Sequence, residues 1–158
     1  MSTHYFIESK LQGNHVIHIK GSHNASGTPL EAAKQNPAPH PFQLWELIDS
    51  PISGFKYIQN PHTGLVIDIH EAHGPTPPPP SGTKLDAHTK ESATNNFNNQ
   101  LWKLVEDGSS GWYYIESLVN GYVIDVKGGS TAAGAPLDAS TRNPPAHSTR
   151  QLWKLVAA

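Results

Sequence analysis

The stretches "VIDIHE" (66–71) and "VIDVKGG" (123–129) each set one carboxylate, Asp68 or Asp125, inside an apolar run. A carboxylate there accepts hydroxyl hydrogens in charge-assisted bonds, and an amide both donates and accepts. Further along the chain stand amides at Asn99, Gln100 and Asn143, imidazoles at His88 and His147, and a guanidinium at Arg150. These groups hold and orient a polar partner. They supply no nucleophile with its base, because the chain has no Gly-x-Ser-x-Gly, no phosphate loop and no evident pair of catalytic carboxylates. Ten histidines include the local pairs His15/His18 and His70/His73, yet neither has an HExxH frame, a thiolate or a third ligand. Surface histidines are expected, with no metal and no cofactor. A plainer role stays open for each aspartate, since an Asp before glycine can simply bond turn amides.

What positions these residues is a repeat. "QLWEL" begins at residue 43, and "QLWKL" begins at 100 and again at 151, taking three of the four tryptophans. The same events precede each one. An aromatic strand comes first ("HYFIES", "FKYIQN", "WYYIES"), then a turn containing Gly, then an apolar strand ("HVIHIKG", "LVIDIHE", "YVIDVKG"). A short strand follows ("SGTPLEA", "SGTKLDA", "AGAPLDA"), and a polar loop leads into QLW and a closing strand. Alternating β-branched and aromatic residues read as strands, and no segment carries a capped period of 3.6. Four strands in each of three copies predict an all-β fold, a β-trefoil: a closed six-stranded barrel with a cap of three hairpins. One domain spans 1–158, with repeats at about 4–50, 55–108 and 112–158. Each tryptophan is expected to wedge into a core that one copy could not build alone.

The pattern resembles the ricin B-type (R-type) lectin family, whose repeats carry Gln-x-Trp and an Asp on the second strand. The resemblance runs from about Tyr5 to Leu155 and is best at Val66-Ile67-Asp68-Ile69, at Val123 to Gly129, and at Asn99-Gln100-Leu101-Trp102. It implies a β-trefoil that binds carbohydrate, often galactose or N-acetylgalactosamine, without turning it over. The second copy holds the fullest set: Asp68, Asn99 with Gln100, and His88 where the family places a stacking aromatic. The third keeps Asp125 and Gly128, with Ser140 for the aromatic and Arg150 for the Asn, which leaves a donor for a hydroxyl or a sugar carboxylate. The first departs at three places, with His18, Ala33 and Phe42. Matching loops also bring Asn36 with His40, and Asn143 with His147, to the region where the family binds its ligand; either histidine is an alternative platform.

A net charge of −2 gives no electrostatic case for nucleic acid or anionic lipid, and no apolar run approaches the roughly 20 residues that span a bilayer. With no cysteine and no secretory leader at Met1, the expectation is a cytoplasmic protein. Cysteine-free intracellular lectins of mushrooms are similar in both respects, which would imply a role in defence. Partners are then glycans of glycoproteins or glycolipids, with a homodimer or several sites per chain supplying avidity. A rival reading is a β-trefoil protease inhibitor presenting the proline-rich insertion "GPTPPPPS" (74–81). Agglutination blocked by a free sugar, set against inhibition of a protease panel, separates the two.

Overall fold

Residues 3–70, 72, 78–92 and 98–158 are described in the computed structural model of the chain. The first repeat forms β1 (Tyr5–Ser9), β2 (His15–Ile19), β3 (Thr28–Lys34) and β4 (Glu46–Asp49). The second forms β5 (Lys56–Gln59), β6 (Val66–Ile69), β7 (Thr83–His88) and β8 (Trp102–Glu106). The third forms β9 (Tyr113–Ser117), β10 (Val123–Val126), β11 (Ala135–Ser140) and β12 (Trp153–Ala157). All twelve fall where the repeated motifs predict them, and the helical pieces among the described residues are 3-10 turns of three residues.

The barrel is a closed ring. β1 pairs with β12, β12 with β9, β9 with β8, β8 with β5, and β5 with β4. Tyr5 and Trp45 complete it by exchanging both backbone hydrogen bonds, at 2.8 and 2.9 Å. Closure leaves no barrel edge open to another chain. The hairpins β2–β3, β6–β7 and β10–β11 form the cap, where β3, β7 and β11 pair pairwise in a triangle. One glycine per copy ties each corner: the amides of Gly27, Gly82 and Gly134 donate to the carbonyls of Ala87, Ala139 and Ala32, each at 2.8 Å. At φ between 87° and 95°, these positions suit only a residue without a Cβ.

Trp45, Trp102 and Trp153 are 1%, 2% and 1% exposed and share one core with Ile7, Ile58 and Ile115. Each indole N–H reaches the second strand of its own repeat, donating to the carbonyl of Ile17, Ile67 or Ile124 at 2.9–3.0 Å. The repeated tryptophan is therefore both wedge and anchor, its buried N–H satisfied. The anchored carbonyl belongs to the residue immediately before His18, Asp68 or Asp125.

Candidate functional site

The register of the cap hairpins fixes what faces those three residues. His18 stands opposite Glu31, Asp68 opposite Asp86, and Asp125 opposite Asp138. The sequence shows no paired carboxylates because the partners lie on different strands; folding makes two pairs. Asp86 and Asp138 were not among the predicted site residues. Their signal is the acid held at one place in "PLEA", "KLDA" and "PLDA".

The glutamine of Gln-x-Trp is the second anchor. Gln43, Gln100 and Gln151 are fully buried, and each accepts from a backbone amide in the loop after the third strand, at Asn36, Glu91 or Asn143, at 2.8 Å. Their amino groups donate to the carbonyls of Lys34, Thr89 and Thr141. Gln100 and Gln151 also donate to the site acids: to Asp68 Oδ2 at 2.9 Å and to Asp125 Oδ2 at 3.3 Å. Gln100 thus serves both purposes open to it, backbone and acid.

The second repeat brings its predicted set together. Asn99 donates both N–H groups, to Asp68 Oδ2 at 3.2 Å and to the Ile69 carbonyl at 3.1 Å. His88 Nδ1 lies 3.9 Å from Asp68 Oδ2 and meets the Thr89 carbonyl at 3.1 Å; its side chain is 32% exposed. Asp86 takes His70 Nδ1 at 2.6 Å. Three buried oxygens are left without a hydrogen-bond partner among the described residues: Asp68 Oδ1, Asp86 Oδ1 and Asn99 Oδ1. Burial pushes the Asp68 carboxyl up to about 8, against the Gln100 hydrogen bond, with the Asp86 carboxyl and then Glu91 adding to the rise. One proton held between Asp68 and Asp86 accounts for two of the three oxygens, since two adjacent buried carboxylates cannot both ionise cheaply. Asn99 Oδ1 remains an acceptor in want of a donor.

The third repeat is built differently. Arg150 donates through Nε to Asp125 Oδ1 at 2.7 Å and through Nη2 to Asp125 Oδ2 at 3.2 Å, so both oxygens are occupied. The ion pair holds the guanidinium still further into its charged form. Ser140 turns its hydroxyl onto Asp138 Oδ1 at 2.7 Å and presents no flat face. Burial raises the Asp138 carboxyl, against the Ser140 bond, and Asp125 adds to the rise. Gly128, at φ 65°, makes the turn after β10 with open space where a Cβ would sit. Asn143 donates to the His147 carbonyl at 3.0 Å, which fixes the loop, and His147 is exposed at its end.

The first repeat departs as the sequence predicts. His18 Nδ1 sits 3.2 Å from Glu31 Oε1 and Nε2 3.4 Å from Ser22 Oγ. His23 folds over Gly21, its ring atoms 2.8–2.9 Å from where a Cβ would be. His40 packs edge-on against Phe6, with ring centroids 4.8 Å apart, so it works in packing. His15 and His18 are buried and do not join the expected surface histidines. Of the second local pair, His73 lies outside the described residues, as does 74–77 of the proline-rich insertion. From that insertion's described end, the Pro79 carbonyl accepts from the Tyr122 hydroxyl at 2.8 Å.

A closed barrel of three like units, capped by three hairpins and keyed by three Gln-x-Trp anchors, is a β-trefoil. The chain matches the family described as ricin-type beta-trefoil lectin domain-like over residues 43–140 and again over 98–158, and it belongs to that family. No curated protein sequence matches it significantly. Among solved structures it is similar to ThreeFoil, a designed 3-fold symmetric protein, with a TM-score of 0.80, 21% identity and 97% of each chain covered. It is similar to the C-half of the earthworm R-type lectin, solved in complex with GalNAc, with a TM-score of 0.71, 19% identity and 99% of each chain covered. It is also similar to part of an exo-beta-1,3-galactanase from Clostridium thermocellum, with a TM-score of 0.81 and 26% identity; all of this chain is covered but only 31% of that enzyme.

Proposed function

We propose that this protein is a non-catalytic glycan-binding protein whose second repeat takes galactose- and N-acetylgalactosamine-type sugars. Membership of a lectin-domain family supports carbohydrate binding. The observation that carries the site is Asn99 Oδ1, a buried acceptor left without a donor among the described residues, beside the Asp68–Asp86 pair. A buried polar atom without a partner costs roughly 1–3 kcal/mol. A sugar hydroxyl supplies the missing donor, and the His88 ring beside Asp68 offers a small face for a pyranose C–H surface. The sugar itself is suggested by the earthworm lectin's GalNAc complex.

Catalysis finds no support in the carboxyl pair. Glycoside hydrolysis uses two carboxyl groups about 5 Å or more apart, with room for a nucleophilic attack or a water. Asp68 and Asp86 instead stand directly opposite each other on neighbouring strands, with both side chains buried. A lone monosaccharide should bind at the mM level, about −4 kcal/mol, with avidity coming from further sites or a second copy of the chain. Calorimetric titration with galactose, N-acetylgalactosamine and glucose, after a glycan array, tests the reading. Binding of the first two over glucose, weakened at least tenfold in Asn99→Ala, is expected. A blank array, or glucose bound as well as galactose, overturns it.

A further inference from the structure

We infer that the depression beside Arg150 is a second saccharide site, selective for sugars that carry a carboxylate, uronic or sialic acids; the inference rests on the glycan-binding reading above. In the third repeat the acid is not on offer to a neutral sugar. Both Asp125 oxygens already hold charge-assisted bonds from Arg150, and Gln151 shares one of them. What the repeat does offer is the guanidinium. It has five N–H donors; two go to Asp125, and the others have no hydrogen-bond partner among the described residues. The side chain is 30% exposed. Asp125 holds it in one orientation, so its fork is set before any ligand arrives.

The surroundings fit an anion. Arg150 lines an open depression of about 480 Å³ together with Leu11, Asn143, Pro144, Ala146, His147 and Thr149. That volume lies within the roughly 300–1,000 Å³ of small-molecule sites. No carboxylate lines it, and residues 139–151 carry two arginines and a histidine but no acid. Across the hairpin, Asp138 is buried and pushed towards its neutral form, so Asp125 is the carboxylate that offsets the guanidinium. A planar carboxylate matches the guanidinium fork where a single hydroxyl does not. Leu11, Pro144 and Ala146 give the ring's C–H face an apolar wall, and the Thr149 hydroxyl and Asn143 side chain offer hydrogen bonds to its hydroxyls.

The test titrates the protein with glucuronic acid, N-acetylneuraminic acid, the methyl ester of each, and galactose, followed by NMR at fixed ionic strength. At least one free acid should bind ten times or more tightly than its ester and shift the Arg150 Nε–H signal. The double variant Asp125→Asn/Arg150→Gln, which leaves no buried charge unpaired, should keep a cooperative melting transition and lose that difference. Acid and ester bound alike overturns the inference, as does a difference that survives in the double variant. If galactose binds and neither acid does, this site fails while the lectin reading stands; if no saccharide binds, both fall.

Discussion

The proton between Asp68 and Asp86 makes a prediction that needs no ligand. Asp68 is held at about 8 in the folded chain, against an ordinary value of 3.8. Folding therefore takes up a proton between those limits, and the sign follows. The stability contributed by the neutral carboxyl is complete below about pH 4 and is lost as pH rises towards 8. A shift of about four units at ~1.4 kcal/mol each sets a ceiling of ~6 kcal/mol on the loss. For a domain of this size, 1 kcal/mol moves Tm by roughly 2–4 °C, so the ceiling corresponds to roughly 12–24 °C.

Other groups titrate in the same window, and His15 works the other way. Its imidazole is pushed down by burial and then by Lys34, so its contribution is present above its ordinary 6.5 and lost as pH falls. The comparison must therefore be a difference between two proteins. Asp68→Asn keeps the shape, stays neutral at every pH, and retains a carbonyl oxygen for Gln100 and an amide N–H to turn towards Asp86. Calorimetric melts of both proteins at fixed ionic strength from pH 4.5 to 8.5 should converge at the acid end. Towards pH 8.5 the variant should be the more stable by several kcal/mol. Parallel Tm curves would refute the shared proton, and with it the account of two of the three unpartnered oxygens.

Removing a core wedge should cost far more than the cap residues beside it: Trp102→Ala is expected to lose about 3–5 kcal/mol in urea unfolding, with Trp45→Ala and Trp153→Ala close to it. Trp102→Phe, which keeps most of the bulk but strands the Ile67 carbonyl, should lose less than the alanine variant yet more than 1 kcal/mol. At the corner of the cap, Gly82→Ala forces a Cβ into φ 95° and should cost about 1–3 kcal/mol. Gly13→Ala, where nothing lies within 4 Å of the added atom, should leave the melting temperature within a degree or two.

The frame was legible because its causes are local and written three times. Strand alternation, turn glycines and the Gln-x-Trp motif each appear in every copy, so twelve strands and the closed trefoil follow from pattern alone. Asp68, Asn99 and Gln100 were legible as a set through the resemblance to the ricin B-type family, since the second copy alone holds both the Asp and the Asn. Asp86 and Asp138 were not, because pairing across a hairpin depends on register, and a slip of one residue would turn each acid away from its partner. Nor could sequence foresee that Arg150 would occupy Asp125 while Asn99 leaves an oxygen open. That difference comes from side-chain reach: a guanidinium spans to both carboxylate oxygens, whereas the shorter Asn amide reaches only Asp68 Oδ2 and a backbone carbonyl.

The three copies can be read as three answers to one electrostatic problem. Each second strand carries within its buried run a polar residue whose neighbour across the hairpin is an acid, and a buried carboxylate must be paired, protonated or bonded. The first copy pairs it, exchanging the second-strand acid for His18 opposite Glu31. The second protonates it, between Asp68 and Asp86. The third imports a cation from the Gln-x-Trp segment, Arg150, three residues before the anchoring Trp153. The barrel is indifferent to the choice, since the tryptophan and glutamine bonds that fix the backbone are the same in all three. The surface is not indifferent. A histidine–glutamate pair closes on itself, a shared proton leaves the Asn99 oxygen open, and a pinned guanidinium leaves its remaining N–H groups open. One scaffold thereby presents polar clusters of unlike chemistry without any change to the tryptophan and glutamine anchors that hold them.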